Sequence, residues 1–189
     1  MEKRQARRLV RTAIEGMTPQ QRTVASAAIR ARLAALPELR SARAVMAFIS
    51  LPDELDMDPI LSDLLAGGKS VYVPRTFVSE KRMVPVRLRD LAQLRMGEYG
   101  IREPDTDEAG DPSTLDLVIV PGRAFDRLGN RLGRGGGFYD AFMSRPGFRA
   151  RRCAVAFACQ ILPAVPHGET DVPVDVIVTE RETVRCKTA

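Results

Sequence analysis

Arg131 and Arg134 lie three residues apart in a loop that also holds Gly129, Gly133 and the triplet Gly135-Gly136-Gly137. A guanidinium presents a rigid fork of donors suited to phosphate or carboxylate. Glycines let backbone N–H groups come close to anionic oxygens, and a helix start just beyond adds unpaired donors and a positive dipole end. Such a helix is expected from Phe138, because Phe138, Ala141 and Phe142 recur at helical spacing and Asp140 falls in the first turn. Upstream, the loop follows the apolar β-branched run Val118-Ile119-Val120, stopped by Pro121-Gly122. Strand, glycine–arginine loop and helix make an anion-binding layout over residues 118–145. A plain surface turn would need neither the flanking arginines nor the helix-opening aspartate.

Neither common nucleotide fingerprint is present. No lysine occurs between 118 and 145, so the loop is not a P-loop, and Phe138 stands where a dinucleotide fingerprint needs its third glycine. Gly68-Lys69-Ser70 is a decoy, with Asp63 five positions before Gly68 and a strand rather than a helix after it. Among carboxylates, Asp140 at the mouth of the loop suits magnesium, a hard cation that bridges phosphate oxygens. It suits the helix dipole equally well. Asp171 and Asp175 precede the last expected strand, and spacing alone does not separate a metal role from loop solvation.

The elements that must position these groups alternate. Residues 2–16 form an amphipathic helix, with Ala6, Val10, Ile14 and Met17 on one face and Lys3, Arg4, Arg7, Arg8 and Arg11 on the other. Arg8 and Arg11 fit a solvated basic face. Lys3 and Arg7, one turn apart, fit that too, or a joint grip on a phosphate chain. Thr18-Pro19-Gln20-Gln21 signals a second helix start, running to near Pro37. A buried strand over 44–50, a loop through Pro52-Asp53-Glu54, a helix from Asp58 and a strand at 70–74 make a βαβ unit. Met83–Leu88 reads as an edge strand and 98–111 as a polar loop. Further strands are expected at 116–121, 152–158 and, last, 174–179. The pattern predicts an α/β fold, a three-layer α/β/α sandwich around a mainly parallel, Rossmann-like open sheet. Ligands of such sheets bind at the carboxyl ends of the strands, which puts Glu54 and the glycine loop on one rim.

At 189 residues one domain over 1–189 is expected, and 44% hydrophobic with 28% charged residues is ordinary for a globular protein. A net charge of +5 fits an enzyme of small polyanions or weak non-specific nucleic-acid binding. With aromatics at 5% and no RNA-binding signature, no nucleic-acid partner is expected. No apolar run is long enough to span a membrane and no signal peptide is evident, so no membrane partner is expected and the location is cytoplasmic. Cys153, Cys159 and Cys186 form no Cys-x-x-Cys pair and predict free thiols. His167, the only histidine, excludes multi-histidine metal sites and reads as a solvated loop residue rather than a base.

The run VPGRAFDRLGNRLGRGGGFYD, taken with Lys3 and Arg7, resembles the 5-formyltetrahydrofolate cyclo-ligase (5,10-methenyltetrahydrofolate synthetase) family. Pro52-Asp53-Glu54, the strand GKSVYVP, Gly100-Ile101-Arg102-Glu103-Pro104 and Thr170-Asp171 with Val174-Asp175 resemble it in the same order. The resemblance implies ATP- and Mg2+-dependent closure of 5-formyltetrahydrofolate, free or polyglutamylated, by a monomer. It places ATP on Lys3, Arg4, Gln5, Ala6 and Arg7 and on Arg131, Leu132, Gly133, Arg134, Gly135, Gly136, Gly137, Phe138 and Tyr139. The folate would meet Ile49, Glu54, Tyr139 and the same Gly133–Gly137 run. Arg134 and Lys3 are the implied catalytic charges, and Asp140 and Asp171 the implied metal ligands. Phe138 stands where many members carry tyrosine, so its ring can stack but makes no hydroxyl contact. Ala6 stands where leucine is common. Two rival readings are a nucleotide- or RNA-binding relative without turnover and an enzyme of the same architecture acting on a sugar phosphate or CoA ester.

Overall fold

The computed structural model describes residues 1–97 and 102–186. Glu98 and Tyr99 of the expected polar loop, and Gly100 and Ile101 of the Gly100–Pro104 segment, lie outside the described residues.

The apolar runs become strands because their side chains have somewhere to go on both faces. In β1 (Ala44–Ala47), Val45 and Ala47 point to one core and Met46 to the other. The same alternation holds in β6 (Leu117–Val120), β9 (Arg151–Val155) and β10 (Val176–Val178). Each fully buried aliphatic side chain contributes about 1.5–3 kcal/mol, which is why runs buried on both faces show no polar alternation. Between β1 and β6 lie β2 (Ser70–Phe77), β3 (Arg82–Leu88), β4 (Leu94–Met96) and β5 (Arg102–Pro104). After β6 come the two-residue strands β7 (Ala124–Phe125) and β8 (Arg131–Leu132), and β11 (Thr183–Arg185) ends the series. The main sheet has the order β11-β10-β9-β6-β1-β2-β3. Its inner pairings are parallel, and both edge pairings, β2–β3 and β10–β11, are antiparallel.

The two faces are covered unequally. One is packed by α1 (Lys3–Glu15), α2 (Pro19–Ala34), α3 (Pro37–Ser41) and α4 (Asp58–Ala66), through Val10, Ile29, Leu39 and Leu61 among others. The other is covered by α5 (Phe138–Met143) with Phe142 and Met143, together with Phe125, Leu115 and Val174 from loops and the small hairpin. The α2 start carries the expected reciprocal cap: Gln21 N–H donates to Thr18 Oγ1 at 3.2 Å, and Thr18 N–H to Gln21 Oε1 at 2.8 Å. The expected three-layer sandwich with a mainly parallel sheet is therefore present, with a thin third layer.

Four local expectations change. The strand expected to stop at Pro74 continues to Phe77, because β1 pairs only as far as Tyr72 and β3 alone flanks the rest. The missing N–H of Pro74 then costs no sheet bond on the β1 side. The sequence 174–179 is not the last strand: β11 follows it, antiparallel to β10. The segment 122–132 is a tight hairpin rather than an open loop, with Ala124 opposite Leu132. The expected polar loop of 98–111 contains a short strand, Arg102–Pro104, paired with Leu94–Met96. Lys69 of the decoy string donates to the Ala42 carbonyl at 2.5 Å, a structural bond far from any nucleotide loop.

Candidate active site at the switch point of the sheet

From β1 the chain crosses to β2 on one side, whereas β6, on the other side of β1, leads on to β9. The loops leaving the carboxyl ends of β1 and β6 therefore diverge, and a crevice opens between them. A cleft of about 1040 Å³ occupies this place. Its walls come from the loop after β1 (Ile49, Glu54), the Arg131–Asp140 stretch, the first turn of α1 (Lys3, Arg7), Asp171, and the β2–β3 hairpin (Thr76, Phe77).

The loop after β1 is shaped by its own polar groups. Ser50 Oγ accepts from Met57 N–H at 2.6 Å, and Glu54 Oε2 accepts from Leu51 N–H at 3.1 Å. Opposite stands the hairpin of β7 and β8, whose turn is closed by buried Asp126. That carboxylate accepts from the N–H groups of Leu128, Asn130 and Val165, each at 3.0 Å. Gly129 belongs to this turn: φ is +93°, and a Cβ there would lie 2.3 Å from the Val174 carbonyl oxygen. The glycines that follow serve a different purpose. Gly137, at φ +68° with open space around it, turns the chain into α5, and Gly133 through Gly137 line the cleft.

The charges of the cleft are paired across its walls. Arg134 Nη2 donates to Asp53 Oδ1 at 2.5 Å and to Glu54 Oε1 at 2.9 Å, and its Nε donates to the same Glu54 oxygen at 3.0 Å. Arg123 Nη2 donates to Asp53 Oδ2 at 2.5 Å. Lys3 Nζ donates to Asp171 Oδ2 at 2.7 Å, and Arg7 Nε to the Gly133 carbonyl at 2.9 Å. Buried Arg131 donates through Nη2 to Asp140 Oδ1 at 2.6 Å, and that oxygen also accepts from Val172 N–H at 3.0 Å. Burial works against the Arg134 charge, but Asp53 and Glu54 outweigh it and hold its pKa above the ordinary arginine value. Burial likewise opposes the charges of Asp53 and Asp171. Arg134 and Arg123 in the first case, and Lys3 with the Gly168 N–H in the second, bring both carboxyls below their usual range. Burial, then the nearby Glu54 charge, pushes the Tyr139 hydroxyl well above a normal phenol, and its oxygen has no hydrogen-bond partner among the described residues.

Most of the residues singled out in the sequence meet here. Lys3, Arg7, Ile49, Glu54, Arg131 through Tyr139, Asp140 and Asp171 all line the cleft. Three do not. Ala6 is fully buried in the core under α1, Gln5 accepts from Glu2 N–H at the helix start, and Arg4 is exposed outside the cleft lining. Asp140 and Asp171 are neighbours through the Val172 backbone, whereas Asp175 is bound to Arg152 at the opposite end of the sheet. Sequence reasoning missed Asp53 and Arg123, which are 70 residues apart. The one available signal was the adjacency of Asp53 to Glu54. It also missed the Phe77 wall, because the strand was expected to end at Pro74.

Comparison with known proteins gives one answer. Residues 1–180 match the model of the 5-formyltetrahydrofolate cyclo-ligase family. The chain is 30% identical to the 5-formyltetrahydrofolate cyclo-ligase of Mus musculus, covering 94% of this chain and 93% of that protein. It is 31% identical to the enzyme of the same name from Escherichia coli (strain K12), over 90% of this chain and 96% of that one. The solved structure of 5,10-methenyltetrahydrofolate synthetase from Aquifex aeolicus superposes with a TM-score of 0.86 at 30% identity, covering 100% of this chain and 95% of the other. With this architecture and this cleft at its switch point, the chain belongs to the 5-formyltetrahydrofolate cyclo-ligase family.

Proposed function

We propose that the protein closes 5-formyltetrahydrofolate, free or polyglutamylated, to 5,10-methenyltetrahydrofolate using ATP, with release of ADP and phosphate. The observation that carries this reading is the meeting of Lys3, Arg7, the Arg131–Tyr139 stretch and Glu54 around one cleft. Its volume of about 1040 Å³ lies at the upper end of the roughly 300–1,000 Å³ usual for ligand pockets.

A formamide oxygen is a poor nucleophile, and hydroxide is a poor leaving group from carbon. In the proposed sequence the formyl oxygen takes the terminal phosphoryl of ATP, and ADP departs. The neighbouring amine of the folate then attacks the activated carbon and gives up its proton, and the C–O bond breaks with phosphate, which can carry that proton, as leaving group. Phosphoryl transfer needs positioning and charge neutralisation rather than a covalent enzyme group. Arg134, Lys3, Arg7 and the backbone N–H groups of Gly133–Gly137 provide these, and neither His167 nor a cysteine has to act. Ring closure is intramolecular and gains from proximity already built into the substrate. Phe138 and Tyr139 offer ring faces for stacking, and Glu54, which retains acceptor capacity, suits the donor-rich pterin edge.

The carboxylates at the mouth fit magnesium. Asp140 and Asp171 each make their hydrogen bonds through a single oxygen, Oδ1 and Oδ2 respectively, which leaves the other oxygen for a cation. Among the described residues no cluster of three or more metal-ligating side chains occurs. Magnesium, commonly held by one or two carboxylates with water and phosphate completing its shell, needs none. When bound by Asp140 and Asp171 it would neutralise phosphate charge. All groups named come from one chain, so a monomer with one catalytic domain suffices. The free thiols of Cys153, Cys159 and Cys186 suit a reducing cytoplasm.

The test is to mix protein, magnesium and ATP with 5-formyltetrahydrofolate and follow the near-ultraviolet absorbance of the conjugated product. The signal is expected only with ATP. Substrate labelled with heavy oxygen at the formyl group should deliver that oxygen into the released phosphate. Absorbance without ATP, or unlabelled phosphate, would contradict the reading.

A further inference from the structure

Asp53 is bonded to two arginines at once, and they differ in kind. Its Oδ2 accepts a hydrogen bond from Arg123 Nη2 and its Oδ1 one from Arg134 Nη2, both at 2.5 Å. The Arg123 side chain is 15% exposed and that of Arg134 40% exposed. Arg123 is also fixed by its backbone. Its N–H donates to the Leu132 carbonyl at 2.7 Å, and its carbonyl accepts from Gln160 Nε2 at 3.1 Å. One guanidinium is thus an anchor set in the protein, and the other stands at the cleft.

Asp53 lies on the loop after β1, whereas both arginines lie on the segment after β6, so the carboxylate ties the two sides of the switch point together. Arg134 needs such a tie, because it sits among Gly133, Gly135, Gly136 and Gly137, the backbone with the least stiffness of its own. Asp53 and Glu54 engage its Nε and Nη2 and leave Nη1 without a partner among the described residues. With Asp53 and Glu54 facing Arg123 and Arg134 the four charges balance, so the pull on phosphate at this point comes from the free Nη1 donors of Arg134 and from Arg7, whose Nε is bonded only to the Gly133 carbonyl.

We propose that Asp53 is a positioning residue for phosphoryl transfer. Anchored by Arg123, it holds Arg134 across the mouth of the cleft so that the free Nη1 donors meet the transferred phosphoryl group. The proposal rests on the function proposed above for Arg134.

A double-mutant cycle tests it, with turnover measured at saturating magnesium-ATP and 5-formyltetrahydrofolate. Asp53→Asn keeps the shape and removes the charge, and is expected to lower kcat by about 10- to 100-fold, the effect of misplacing a catalytic group by about 1 Å. The KM for folate should change less than about 2-fold. Asp53→Asn on top of Arg134→Ala should slow the enzyme no further, because there is no guanidinium left to hold. Asp53→Glu should recover part of the lost rate. A purely structural role predicts instead that the two losses multiply, and that result overturns the proposal. Faster turnover in Asp53→Asn also overturns it, because Asp53 would then be competing with phosphate for Arg134. If Arg134→Ala alone leaves kcat unchanged, the reading of Arg134 fails. If Arg134→Ala is slow but the cycle is additive, only the inference about Asp53 fails.

Discussion

The two ends of the central sheet both carry aspartates, and they use them differently. At the amino end, Asp116 Oδ2 accepts from the backbone N–H groups of Arg43 and Ala44, at 2.7 and 2.9 Å. Two strands away, Asp175 Oδ2 accepts from Arg152 N–H at 2.8 Å, while Arg152 Nη2 grips its Oδ1 at 2.6 Å. These carboxylates satisfy strand ends that would otherwise be orphaned. At the carboxyl end, Asp53, Glu54 and Asp171 meet the side chains of Arg134 and Lys3, which are 40% and 44% exposed. Side chains this exposed keep donors within reach of a ligand while the pair holds them in place. Carboxylates that cap strand backbone and pair only with a mostly buried arginine hold the fold, and carboxylates paired with exposed cationic side chains are placed to hold the candidate site in readiness.

That contrast breaks if mutations at the two ends have the same signature. The largest effect expected is on turnover. Arg134→Ala should cut kcat by about 10²- to 10³-fold, the usual loss on removing a charge-stabilising donor, with the melting temperature almost unchanged. Asp175→Ala should do the reverse. Loss of its charged hydrogen bonds costs about 1.5–3 kcal/mol, or roughly 3–12 °C in a domain of this size, with kcat per folded molecule preserved. Turnover and thermal melting of the two variants, measured side by side, decide it.

The amino end also has a pH signature. Burial opposes the Asp175 charge, but Arg152 and its backbone N–H prevail, and the pKa falls below the ordinary 3.8. A depressed carboxyl pKa stabilises the fold fully above the unfolded value, and the contribution is lost as pH falls through the lower folded value. Acid unfolding of Asp175→Asn should therefore be flatter below 3.8 than that of the parent protein. Equal slopes in urea melts across that range would count against the pairing.

Smaller effects sharpen the picture inside the cleft. Glu54→Ala should raise the folate KM by about 10- to 100-fold, as expected for a charge-assisted hydrogen bond, and move the ATP KM far less. Equal changes in both would refute the pterin role. Lys3→Ala, at a partly exposed pair, should raise the ATP KM by only about 5- to 10-fold, on the order of 1 kcal/mol, and leave the folate KM alone. Steady-state kinetics with each substrate varied in turn measures all four quantities.

How much of this could be read in advance follows the same division. Strands buried on both faces announce themselves as apolar runs, as Leu117–Val120 does. Thr183–Arg185 was missed because it is a short edge strand with only Val184 buried. The hairpin around Asp126 was missed because its strands have two residues each and sit among glycines and arginines that read as loop. The glycine–arginine stretch was legible as a candidate site because its chemistry is concentrated in consecutive residues, and it does line the cleft. The Arg123–Asp53–Arg134 bridge was not, since it joins residues 70 and 81 positions apart and exists only once β1 and β6 lie side by side. The resemblance implies ATP contacts at residues 4–6 as well as at Lys3 and Arg7, but a helix turns neighbours to different faces, and the Ala6 side chain faces the core.

The measurement that reaches the central claim most directly is a crystal structure with magnesium and a non-hydrolysable ATP analogue. The account predicts the phosphates within hydrogen-bond reach of Lys3, Arg134 and the Gly133–Gly137 N–H groups, with Asp140 and Asp171 facing the metal. Nucleotide bound elsewhere, with Arg134 and Lys3 facing an empty cleft, would contradict it.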